Sequence, residues 1–138
     1  MKRIYVQRAL GLAIAFLVLV SSALAANAAQ PRYVKIQSLS ADLQSISLAG
    51  RATCNSSVIV YDAACSVTIT AELQQSGDGA SWDTIKTWSS SGNRTVEIDG
   101  YWYVDQGYEY RVLATATVYD SSGNIVETAS TTSSVREY

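Results

Sequence analysis

From residue 45 onward the chain alternates apolar and polar positions in short runs broken by Gly, Asp, Asn and Ser. In residues 45–54, Ile46, Leu48, Ala52 and Cys54 share one face, with Ser45, Ser47, Arg51 and Thr53 opposite. Residues 66–74 put Val67, Ile69, Ala71 and Leu73 on one side and Thr68, Thr70, Glu72 and Gln74 on the other. Residues 108–119 do the same with Tyr110, Val112, Ala114, Ala116 and Val118. A period of two is the signature of half-buried strands. Residues 33–37, 82–89, 95–98 and 125–131 read as further strands. The clusters at 76–79, 90–93 and 120–124 read as turns, with Asp78-Gly79 a hairpin signal. No helical period occurs. Seven short strands predict an all-β, antiparallel two-sheet sandwich, with a small closed barrel as the alternative.

One segment breaks the pattern. Lys2, Arg3 and Arg8 precede an apolar run over residues 9–20 and a small-residue stretch over residues 21–28. This is the layout of a secretory signal peptide. The run is shorter than the roughly 18 residues of a spanning helix. Cleavage after Ala25 or Ala28 is expected, leaving one sandwich domain over residues 29–138, secreted and without a membrane span.

Charge then narrows the partners. Three of the ten Lys and Arg lie in that segment, so seven remain against all twelve acids, a net of −5. Nucleic acid and anionic lipid surfaces both select clustered cations, and are disfavoured. The chain has no histidine, which excludes Ser-His-Asp, Cys-His and His-based metal sites. No cofactor motif is present. Cys54 and Cys65 are the two cysteines. An even count in an exported chain predicts a disulfide, and both fall on apolar faces.

The run Val104-Asp105-Gln106-Gly107-Tyr108-Glu109-Tyr110 resembles the E–F corner of fibronectin type III and other immunoglobulin-like domains. Val104, Gly107 and Tyr110 carry the likeness. It implies a tight turn at the Gly and a Tyr hydroxyl bonded to upstream backbone. Both cysteines lie in the first half of the chain, unlike the immunoglobulin inter-sheet pair. More widely, Leu73-Gln74, Trp82, Trp88, residues 107–112, the 119–127 hairpin and Ser133 resemble an uncharacterised family of small secreted proteins of Gram-positive bacteria. That likeness implies export and a compact β domain, and no activity.

The only Phe lies in the signal segment, so the domain takes its aromatic bulk from Tyr and Trp. Trp82, Ile85 and Trp88 are three apart, which no straight strand places on one face. A bulge burying at least one indole is expected; the alternative leaves both outward, able to stack on sugar rings. Tyr101 and Tyr103 share one side of the chain and Trp102 the other, as end packing or as a contact patch. Asp78, Asp83, Asp99 and Asp105 lie near turns without a calcium-loop spacing, and turn chemistry accounts for them. No metal site and no catalytic residue is expected. The pattern points to a non-enzymatic extracellular module that binds a protein or a cell-surface glycan. A carbohydrate-binding module using Trp82, Trp88 or Trp102, and a subunit assembling through strand edges, are the alternatives.

Overall fold

β1 (Ile36–Ile46), β2 (Arg51–Val60) and β5 (Thr95–Tyr103) form one antiparallel sheet in the order β1-β2-β5. β3 (Ser66–Ser76), β4 (Asp83–Asn93), β6 (Glu109–Tyr119) and β7 (Ile125–Thr132) form the second, in the order β4-β3-β6-β7. The two-residue β8 (Arg136–Glu137) pairs with β6. This computed structural model describes residues 33–138, so the expected signal segment lies outside the described residues. The fold is the expected all-β sandwich. In the constant-type immunoglobulin order the fourth strand joins the first two; here β4 pairs with β3 instead, and β5 returns to β2. No described helix is long and apolar enough to cross a membrane.

The core is made by the alternating faces. Val67, Ile69, Ala71 and Leu73 of β3 and Tyr110, Val112, Ala114, Ala116 and Val118 of β6 are all buried against Leu43, Cys54, Val58 and Ile98 of the other sheet. Outward positions carry hydroxyls that bond across the strands. Thr68 meets Ser91 at 2.8 Å and Thr115 meets Ser130 at 2.9 Å. Such pairs each stabilise a sheet by a few tenths of a kcal/mol, up to about 1.

The strand over 45–54 does not exist as one element. β1 ends at Ile46, and residues 47–50 form a hairpin turn closed by the Gly50 N–H donating to the Ser47 carbonyl at 2.8 Å. Leu48, expected inside, is 99% exposed at its tip. Ile46 and Ala52 are six positions apart, an even step, so the alternation runs through the turn without a break in parity. The 90–93 turn is likewise strand: β4 continues to Asn93, and the chain reverses at Arg94, in the left-handed region with φ 67°.

The corner takes its expected form. Tyr110 is buried, and its hydroxyl donates to the Asp105 carbonyl at 2.6 Å. Gly107 supplies the left-handed backbone, φ 87°. The tail, polar in sequence, is anchored there too. The Gly107 N–H donates to the Tyr138 carbonyl at 2.5 Å, and the Tyr138 hydroxyl donates to the Leu48 carbonyl at 2.8 Å. At the opposite edge Glu127 of β7 accepts the backbone N–H groups of Val34 (2.9 Å), Lys35 (2.5 Å) and Ile36 (3.0 Å). This carboxylate clasps the start of β1 to the other sheet.

The expected Cys54–Cys65 disulfide is absent: both are buried free thiols. Both do face the core, but at different heights. Cys54 lies mid-strand opposite Leu43 and Gly100, six residues before the end of β2. That is about 20 Å of strand at about 3.3 Å per residue. Cys65 lies just beyond the following turn, with its N–H on the Asp62 carbonyl. A bridge needs Cα atoms within about 7 Å. Burial, helped by the Asp42 carboxylate, pushes the Cys54 thiol up to about 12, so it stays protonated and unreactive. Reduction should leave the intact mass unchanged, and alkylation should reach two thiols per chain only on unfolding. Tyr110→Phe should lower stability by about 1–2 kcal/mol in urea titration, the cost of losing one buried hydrogen bond.

Candidate functional site

β4 and β5 are the edge strands on one side of the sandwich, one from each sheet. Pairing along β4 slips once: Leu73 faces Lys86 but Gln74 faces Thr84, so Ile85 is the extra residue of a bulge. The bulge lets Ile85 and Trp88, three apart, both turn inward, and leaves Trp82 on the outer face. Ile85 and Trp88 both pack on the core, and Trp88 becomes the tryptophan that closes this edge. Its indole lies across to β5, where a Cβ on Gly100 would meet Trp88 Cε2 at 2.6 Å. Only glycine permits that approach.

Beyond Gly100, β5 carries Tyr101, Trp102 and Tyr103, with 52%, 42% and 62% of their surfaces exposed. Tyr101 and Tyr103 share the outer face, their rings edge-to-face with centroids 6.2 Å apart. β2 pairing places Arg51 opposite Tyr103, and its guanidinium stacks on Tyr101 at 4.2 Å. Trp102 points to the other side, where Lys86 of β4 holds its ammonium 4.6 Å above the ring and 6.0 Å from that of Trp88. The end of β5 is thus an aromatic ridge with a cation held on each flank. Asp99, on the face of Tyr101, is engaged by the Asn55 side-chain amide.

Trp82 takes a different place. It precedes β4, is partly buried, and lies under the Arg111 guanidinium at 4.2 Å. Arg111 Nε donates to Gln74 at 2.8 Å, and Thr84 donates to Glu72 at 3.1 Å, so the surroundings of Trp82 are a polar network on the outer sheet face. The structure therefore separates the expected aromatic residues: Trp88 is partly buried and packs against the core, Trp82 covers a sheet face, and Tyr101, Trp102 and Tyr103 form the ridge. Arg51 and Lys86 were not legible as members. Nothing in their local sequence marks them, because strand register and a cross-sheet approach bring them there.

The other candidates are turn chemistry. Asp78 Oδ1 accepts the N–H groups of Ala80 and Ser81, each at 2.8 Å. These bonds, Ser81 first, hold its carboxyl down to about 2. The N–H of Asn124 similarly lowers Asp120. Among the described residues no group of three or more His, Cys, Asp or Glu side chains could hold a metal ion. An open hollow of about 630 Å3 is lined by Asp78, Glu109, Glu137, Tyr108 and Tyr138. It brings acids, turn backbone and the Ser76 hydroxyl together, and that hydroxyl donates to Asp78 Oδ1 at 3.0 Å.

No protein-family model matches this chain, and no curated protein matches it.

Trp88→Ala should cost about 3 kcal/mol or more by opening the sandwich edge, and Gly100→Ala about 1–3 kcal/mol by overpacking it. Trp102→Ala should cost less than Trp88→Ala, because 42% of its surface is already exposed. Denaturant midpoints of the three variants check this order; a Trp102→Ala loss equal to that of Trp88→Ala would place Trp102 in the core.

Proposed function

We propose that this protein is an extracellular binding module that makes its contact through the Tyr101-Trp102-Tyr103 ridge and catalyses no reaction. The observation that carries the reading is that three consecutive large aromatic residues stay exposed at the end of β5, while Val96 and Ile98 earlier in that strand and Ala52 and Cys54 of the paired β2 are buried. Exposed Trp and Tyr cost solubility and are fixed here by neighbours rather than left mobile. Rigid aromatic rings beside Arg are the composition of binding hot spots, where truncation of one side chain costs about 2 kcal/mol or more. The absence of histidine from the sequence removes the commonest general base. The turn carboxylates already accept backbone hydrogen bonds that favour their charged form, the opposite of a carboxyl tuned for acid catalysis.

The extracellular assignment rests on the layout of residues 1–28, and the surface-binding assignment on the ridge. Labelled protein should be retained on isolated cell envelopes of a Gram-positive bacterium. A Trp102→Ala, Tyr103→Ala double variant with an unchanged unfolding midpoint should lose at least about tenfold in bound fraction at limiting protein. Equal retention of the two proteins would remove the ridge as the contact surface.

A further inference from the structure

We infer that the ridge takes an acidic polysaccharide, with Arg51 and Lys86 meeting its carboxylates and Tyr103 and Trp102 lying against its sugar rings. This rests on the ridge being the contact surface. The cations are the informative feature. Outside residues 1–28 the chain has seven Lys and Arg against twelve acids, yet both flanks of this short ridge carry one. Each is fixed by a ring: Arg51 at 4.2 Å over Tyr101 and Lys86 at 4.6 Å over Trp102.

The way Arg51 is fixed matters. The guanidinium carbon lies 4.2 Å from the Tyr101 centroid, and a contact through the ring does not itself use the N–H fork with which arginine binds a carboxylate through two parallel bonds. Of the other described cations, Arg111 donates to Gln74 and Arg136 to the Leu43 carbonyl, while Lys35 precedes β1 and Arg94 lies in the turn before β5, both outside the ridge. The nearest acid on this face, Asp99, is bonded to Asn55. The ridge thus offers pre-oriented positive groups interleaved with exposed rings. A uronic acid sugar has both complements, a carboxylate at its edge and C–H bonds on its face. A nucleic acid would present phosphates along its length to a domain of net charge −5, which opposes it. A simple polyanion such as poly-glutamate offers charge without ring faces.

The test uses the purified wild-type protein with polygalacturonate, with the same polymer after methyl esterification, and with poly-L-glutamate, by isothermal titration. Binding to polygalacturonate at least about tenfold tighter than to either of the others is the expected result. Arg51→Gln and Lys86→Gln should each weaken it by about tenfold, and Arg94→Gln, in the turn between β4 and β5, should not. Equal affinity for the esterified polymer overturns the acidic specificity while leaving the ridge as a binding surface. Equal affinity for poly-L-glutamate, no binding to polygalacturonate, or an equal loss in Arg94→Gln also overturns it. The comparison of polymers needs no variant, so it stands even where a substitution disturbs the fold. The envelope assay reads the ridge itself: retention that depends on Trp102 and Tyr103, together with failure on polygalacturonate, separates a wrong ligand from a wrong site.

Discussion

The indole of Trp88 spans the gap between the two sheets and rests on the backbone of β5 at Gly100, where a Cβ would lie 2.6 Å from the ring. A sandwich has open sides, and the strands along them belong to different sheets with no hydrogen bonds between them. On this side a single aromatic ring seals the gap. It can do so because the bulge at Ile85 turns Trp88 inward and because residue 100 carries only a hydrogen there. The residues that follow Gly100 inherit their position from that contact. Tyr101 and Tyr103 stand outward over β2, and Trp102 turns toward Lys86 on the neighbouring strand. The exposed ridge is therefore an extension of the core contact rather than a free loop.

The rings also determine where an acidic protein keeps its cations. Arg51, Lys86 and Arg111 each lie over an aromatic face, at 4.2, 4.6 and 4.2 Å. A cation near the face of an aromatic ring gains about 0.5–1 kcal/mol at an exposed site. That attraction does not itself consume the hydrogen-bond donors of the cation, and Arg111 also donates to Gln74. Three such stacks among 106 described residues exceed the usual frequency of about one per 70–80. Together they make pairing of cation with ring a recurring device of this surface.

Much of the fold was readable from period-two patterning. The inward faces of β3 and β6, the Val104-Gly107-Tyr110 corner and a bulge between Trp82 and Trp88 all follow from local sequence. What escaped reading involved position along a strand or between sheets. The parity of Ile46 and Ala52 is the same whether the chain runs straight or turns back through four residues, so the first hairpin was invisible. Parity placed Cys54 and Cys65 inside but carried no information on height, and the bridge failed on that coordinate. Nothing in the polar residues around Tyr138 marks it for the corner, where the Gly107 N–H and the Leu48 carbonyl are its partners. Arg51 and Lys86 reach the ridge through pairing with β2 and across from β4, distances in sequence that no local pattern spans.

Glu127 gives the domain an unusual closure. Its carboxylate gathers three consecutive backbone N–H groups from Val34 to Ile36, more than ninety residues earlier. Those donors lie at the beginning of the described chain, and the acceptor belongs to its last long strand. The first and last thirds of the sequence thus complete one another's hydrogen bonding. A chain stopped short of residue 127 would leave its own first strand with unanswered donors, however well the intervening hairpins had formed. Completion of the fold is in this sense a property of the chain from Val34 to Glu127 taken together, withheld until nearly all of that stretch is present.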